Sequence, residues 1–281
     1  MPEFSCPALE RCLQLHVAVS DAEVVSRQLP AADRDTLFDL SDQVIVLLER
    51  ALWDSGLSST LLEDLHALFA ELEGHIAVAG EDPRHRFVVV IPVAERPQQL
   101  RSCLQSLAGM LQAFRYGRGQ STLSERLSVV IADDSCDEEC IAENRRIAAE
   151  TERLGLPVTY FGLQQQQDVL AGLSPDQRQA LRSVIGDTST GVSGHKGASV
   201  MRNITSLLLQ RMAQQDPGLL FLFVDSDQQF HACTDANRDV FTTNYFYHVD
   251  RIFRQGGVCL LYTSPSPRDF SCNLVCRLLL E

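Results

Sequence analysis

Three stretches of this sequence place charged side chains where a phosphate or a metal could be handled. Asp225-Ser226-Asp227 follows the apolar run Leu219–Val224, and Asp133-Asp134-Ser135 follows another such run. An Asp-x-Asp spacing puts two hard oxygen ligands on one turn, where Mg²⁺ or Mn²⁺ would bridge them to a diphosphate. The same spacing also suits a plain strand-end turn in which Asp accepts backbone N–H bonds. The third stretch runs from Gly191 to Asn203 and contains Gly194-His195-Lys196-Gly197 and Met201-Arg202-Asn203. Its glycines allow close backbone approach, and Lys196 is the single lysine in a chain that otherwise uses arginine. Lys196 and Arg202 are therefore candidate phosphate contacts, with an exposed loop charge and a surface ion pair as the plainer readings.

These residues need a scaffold, and the hydrophobic pattern supplies one. Phe87–Val93 is a continuous β-branched run ended by Pro92-Val93, which suits a strand buried on both faces. A helical pattern spans Gln98 to about Phe114. A second buried strand covers Leu127–Ala132, a helix covers roughly Asp137–Leu154, and Pro157–Phe161 reads as a third short strand. Leu219–Val224 is the fourth. Strands alternating with helices predict an α/β sheet with right-handed crossovers, and ligands then bind beyond the carboxyl ends of the strands. Those ends are Pro92–Pro97, Asp133–Ser135 and Asp225–Asp227. The stretch Gln164–Thr190 is polar and helical, with Ser174-Pro175-Asp176-Gln177 as a helix start. It reads as a surface excursion in preference to a lid. Ala232–Phe253 reads as further sheet and helix, and none of Asp235, Asp239 and Asp250 is assigned as a catalytic base.

From about Phe87 to Phe230 the chain resembles the nucleotide-sugar-binding half of GT-A fold glycosyltransferases, closest to glycosyltransferase family 2. The resemblance rests on Ile91-Pro92-Val93 with Arg96-Pro97, on Val130–Ser135, on the loop closing in Met201-Arg202-Asn203, and on Val224-Asp225-Ser226-Asp227. It implies a mostly parallel, Rossmann-like GT-A sheet and metal-dependent sugar transfer from a nucleotide-diphosphate donor to an unknown acceptor. It further implies that the Pro92-Val93-Ala94-Glu95 turn lines the base and ribose pocket and that Asp134 bonds the base. Lys196 and Arg202 would lie near the donor, and Asp225 and Asp227 would hold the ribose and the Mg²⁺ or Mn²⁺. Ala94 and Glu95 depart from the aromatic residue and the Asn common there, so UDP- and GDP-linked donors both stay open. A nucleotidyltransferase is one alternative, though Pro92–Pro97 lacks the glycine-rich loop expected of it; a non-catalytic nucleotide-sugar-binding module is the other.

Composition bounds the rest. The chain has 281 residues, 45% hydrophobic and 22% charged, the balance of a folded globular protein. A net charge of −13 without a basic run excludes a nucleic-acid partner. Most of that charge lies in residues 1–80, which hold fourteen Asp/Glu against four Arg. Leu40, Val44, Leu47, Leu48 and Leu52, and then Leu61, Leu62, Leu65, Leu68, Phe69 and Leu72, form helical stripes there, with Thr60–Glu63 as a capping box. Residues 1–82 are thus expected to form an acidic helical region, followed by the α/β domain over 83–258. No apolar run reaches the ~20 residues of a membrane span and no leader is evident, so a cytoplasmic location with free thiols is expected, leaving peripheral membrane contact open. From Cys259 the sequence Cys-Leu-Leu-Tyr-Thr-Ser-Pro-Ser-Pro-Arg-Asp, and then Asn273–Leu280, resembles an in-frame translation of a transposase-type sequencing adapter. Residues 259–281 are accordingly set apart from the fold, and the α/β domain is expected to be truncated and impaired in transfer.

Overall fold

A computed structural model describes residues 6–28, 34–79, 82–186, 195–235 and 238–254. The apolar runs form four parallel strands, β1 (Arg86–Val93), β2 (Leu127–Asp133), β3 (Val158–Phe161) and β4 (Leu219–Phe223), in the order β3-β2-β1-β4. β1 is central, pairing with β2 from Phe87↔Leu127 to Val93↔Asp133 and with β4 from Arg86↔Leu219 to Val90↔Phe223. The α/β expectation therefore holds, with each strand within one or two residues of its sequence-derived span. The predicted continuation after β4 is a two-stranded antiparallel hairpin, β5 (Ala232–Asp235) and β6 (Arg238–Val240).

Helices cover the sheet. Four precede it: α1 (Pro7–Leu15), α2 (Val19–Gln28), α3 (Arg34–Ser55) and α4 (Ser59–Ala79). The others are α5 (Pro97–Phe114), α6 (Glu138–Arg153), α7 (Leu163–Ala171), α8 (Pro175–Ile185), α9 (Ala198–Gln215) and α10 (Tyr245–Arg254). Because strand side chains alternate, Val88, Val90, Val130 and Ala132 point to one face of the sheet. They are buried there with Val169 and Leu170 of α7, Ile185 of α8, and Met201, Ile204 and Leu209 of α9. The intervening residues Val89, Ile91, Val129 and Ile131 point to the other face, where α5 and α6 pack. The stretch after β3 is thus neither excursion nor lid over its described length. Its helices contribute Val169, Leu170 and Ile185 to the core on that face, with α8 begun by the expected Ser174 and Gln177 capping box.

The acidic N-terminal helices bury the stripes read from the sequence, including Leu40, Val44, Leu48, Leu65, Leu68 and Phe69. The cap of α4 is Ser58, not Thr60: the Leu61 N–H donates to Ser58 Oγ at 3.4 Å, two residues earlier than the box predicts. The change of composition near residue 82 is not a packing boundary. α4 lies against α5, with Phe69 and His66 edge-on to Phe114 at centroid distances of 5.1 and 4.7 Å. Beside this contact Arg84 donates to Glu73 at 2.5 and 2.9 Å and to Asp82 at 2.8 Å, and its guanidinium lies 4.6 Å from the Tyr116 ring centre. The chain through Asn244 forms one compact unit, and α10 belongs to a second. Within α10, Asp250 is fully buried and bonded by Arg254 at 2.5 Å.

His66 gives this contact a pH dependence. Its Nε2 donates to the Phe241 carbonyl at 2.7 Å, which requires the neutral ring to carry its proton there. Burial lowers its pKa below 6.5, and the bond to the carbonyl opposes this only in part. A depressed histidine means that the unfolded chain binds more protons, so stability is lost as pH falls below about 6.5 and towards the folded pKa. Urea unfolding between pH 7 and 5 should show that loss, and His66→Gln should flatten it; an unchanged slope in the variant contradicts the assignment.

Candidate functional site

The cleft begins with one missing N–H. Along β1 the backbone groups of even-numbered residues face β4 and those of odd-numbered residues face β2: Val90 O accepts from Val224 N at 3.0 Å, and Val93 O accepts from Asp134 N at 2.9 Å. Pro92, which has no N–H, thus falls on the β4 side, two residues past the last β1–β4 pair. The ladder loses no bond there, and β4 diverges. This is also where the strand order reverses, since β2 and β3 lie on one side of β1 and β4 on the other.

The resulting cavity has a volume of about 320 Å³ and is lined by Pro92, Val93, Ala94, Arg96, Asp134, His195, Ala198, Met201, Arg202, Asp225, Ser226 and Asp227. That volume lies at the small end of the usual range for ligand pockets. Six of the eight residues singled out from the sequence line it: Pro92, Val93, Asp134, Arg202, Asp225 and Asp227. Asp225 and Asp227 are exposed on the turn after β4, closed by Gln228 N–H to Asp225 O at 3.0 Å, while Ser226 between them is buried. Arg202, the fifth residue of α9, reaches to 3.6 Å from Asp225. The N-terminus of α9 also opens on the cavity, and its N-cap Gly197, at φ 85°, brings no side-chain cap to its first N–H groups. Such a terminus favours an anion. The field of Asp227 reaches beneath the site, where burial first and then this carboxylate push the Cys103 thiol up to about 12.

Lys196 is held beside the cavity by Asp134. Its ammonium donates to Asp134 Oδ1 at 2.8 Å, and the Lys196 and Gly197 N–H groups donate to Oδ2 at 3.0 and 3.1 Å. His195 Nδ1 lies 2.9 Å from the same oxygen, and also 3.1 Å from Gly197 N. A nitrogen cannot donate and accept at once, so with Nδ1 protonated the Gly197 N–H goes to Asp134 alone. The Lys196 and Asp134 side chains are 8% and 4% exposed. Lys196 therefore anchors its loop to the end of β2, and the Asp134 carboxylate expected to meet a base is already engaged.

Glu95 also departs from expectation. It does not line the cavity but turns at φ 55°, unusual for a residue with a Cβ, and accepts from the Cys136 and Asp137 N–H groups at 2.5 and 3.1 Å. Those bonds hold its carboxyl below the usual glutamate range. Its own N–H donates to Ser135 Oγ at 3.0 Å, so Glu95 ties the β1 turn to the start of α6. Asp133 supports the same junction from below. Its buried carboxylate accepts from Asn144 Nδ2 at 3.0 Å, from Ser135 N–H at 2.8 Å and from the Tyr160 hydroxyl, whose pKa is raised by burial and by that bond.

No family model matches the chain, and no curated protein matches it in sequence. The cavity itself adds residues to which the sequence reading gave no donor role, chiefly Arg96 and His195. Arg96 belongs to the Arg96-Pro97 pair on which the resemblance rests, and His195 stands next to Lys196 in the glycine loop. The glycines Gly191 and Gly194 lie outside the described residues, as does the segment 259–281. No helix among the described residues is long and apolar enough to cross a membrane.

Proposed function

We propose that this chain binds a nucleoside-diphosphate sugar, as the donor half of a GT-A type glycosyltransferase. One observation carries the reading: the end of β1, Asp134, Arg202 and the Asp225/Asp227 pair converge on a single cleft at the switch point of a parallel sheet. The parts suit the charges of such a ligand. Pro92, Val93 and Ala94 offer an apolar wall for a base. Arg202 and the open N-terminus of α9 offer positive potential to a diphosphate.

Asp225 and Asp227 fit a divalent ion. Two exposed carboxylates, two residues apart on one turn, form a hard oxygen pair of the kind that takes Mg²⁺ or Mn²⁺ with several waters. When bound, such an ion would neutralise charge on the leaving phosphate. Arg202 would act on the same charge from the α9 side, and Asp134, through Lys196, fixes the loop that leads into α9.

Calorimetry of UDP and GDP with Mn²⁺ tests this. Binding of one of the two is expected, with affinity falling about tenfold or more, or ~1.4 kcal/mol, in Asp227→Asn. Absence of binding to either nucleotide would overturn the donor reading. Equal affinity in the variant would overturn the metal assignment and favour a binding module that works without an ion.

A further inference from the structure

The start of α1 lies against one face of α4. Cys6 occupies the N-cap position of α1, yet its side chain makes no capping bond. Glu71 of α4 takes that role, its two oxygens accepting from the Ala8 and Leu9 N–H groups at 2.8 and 3.2 Å. The buried Cys6 Sγ lies 3.8 Å from His75 Nε2. Glu71 and His75 are four residues apart on one helix and share a face. A thiol, a carboxylate and an imidazole thus meet from segments more than sixty residues apart, with ligand atoms all within 4.8 Å of one another.

We propose that Cys6, Glu71 and His75 bind a zinc-type divalent ion that clasps α1 to α4. Tetrahedral zinc takes sulfur at about 2.3 Å and nitrogen or oxygen at about 2.0–2.2 Å, which sets ligand-to-ligand edges of roughly 3.3–3.6 Å. The Cys6–His75 edge, at 3.8 Å, is already close to that. Each Glu71 oxygen keeps a second lone pair while capping α1. One sulfur, one imidazole and one carboxylate make a borderline donor set, suited to zinc over magnesium or calcium.

The charges around the cluster agree. Besides Glu71, Glu10 lies close enough to Cys6 to act on its charge. The carboxylates that disfavour another anion here favour a cation. On binding, the Cys6 S–H bond breaks, the Sγ–metal bond forms and the proton passes to solvent. Glu10, one turn along α1, or a water completes the fourth position. Among the described residues Glu95, Asp137 and Cys140 form a second close trio, but without an imidazole and on the surface.

Cobalt(II) added to the chelator-treated full chain is the probe, because thiolate-to-cobalt charge transfer gives a near-ultraviolet band that carboxylate sites cannot produce. The wild-type chain should show the band, Cys6→Ser and His75→Gln should each lose it, and Cys140→Ser should keep it. Zinc should raise the unfolding midpoint of the wild type and leave that of Cys6→Ser unmoved. A wild-type spectrum without the band, or a band that survives both Cys6→Ser and His75→Gln, overturns the clasp. The wild-type spectrum needs no variant to fold, and neither outcome depends on nucleotide binding at the β1–β4 cleft.

Discussion

Replacing Arg84 with Met is expected to lower the free energy of unfolding by about 3–5 kcal/mol, the cost of leaving a buried charge without its partner. Arg84 and Glu73 are 5% and 8% exposed, and the guanidinium meets the carboxylate through two bonds. Without it, the partner left to Glu73 among the described residues is the Gly117 N–H, at 2.9 Å. Asp82 fares better, since Arg126 still donates to it at 2.9 Å. Burial already raises the Glu73 carboxyl above its ordinary value with Arg84 in place. A raised carboxyl means that the folded state binds the extra proton, so the penalty is absent below about 4.5 and grows as pH rises through the folded pKa. The deficit of Arg84→Met should therefore be larger at pH 7 than at pH 5 in urea titrations. Adding Glu73→Leu should return part of it, because removing both partners leaves no orphan. A deficit below about 1 kcal/mol, the level of an exposed pair, would show that solvent reaches the site.

Asp134→Ala should act locally and as strongly. The buried Lys196 ammonium loses its counter-charge, and three further donors from His195, Lys196 and Gly197 lose a shared acceptor. The expected result is release of this segment without global unfolding, because opening energies differ from place to place in a fold. Hydrogen exchange at the Lys196 and Gly197 amides should quicken about a hundredfold or more, the equivalent of about 3 kcal/mol. Amides of β1 and β2 should keep their protection. Nucleotide affinity should fall along with it, since the loop leads into the α9 turn that carries Arg202. Unchanged exchange at Lys196 would mean that Asp134 is not what holds the loop.

The two faces of this molecule were unequally legible from sequence. Phe87–Val93 and Leu127–Ala132 announce themselves because a strand covered on both faces has no polar position to spare. Asp225, Asp227 and Pro92 are legible for a related reason: they directly follow or end such strands, and sheet topology decides what lies beyond a strand end. The residues that hold Lys196 and Glu95 in place are not legible in the sequence. These contacts lie 62 and about 41 residues away, with Asp134 and with Cys136, and no local pattern encodes that choice. A lone lysine among glycines looks the same whether it faces a phosphate or a buried aspartate. The buried side of the helices after β3 is hard to read because their polar faces dominate the composition, while Val169, Leu170 and Ile185, with Leu173 and Leu181 beside them, carry the packing. Ser58 and Thr60 both offer a helix start in the sequence, and Ser58 takes it.

The position of Lys196 has a consequence for reagent chemistry. The chain carries no other lysine, so an amine-directed acylating reagent finds one side-chain target in the whole molecule besides the terminal amine. That target is shielded, and its nitrogen is committed to Asp134. Acylation must therefore wait for the contact to part, and the rate of a simple labelling reaction becomes a clock for one opening event beside the cleft.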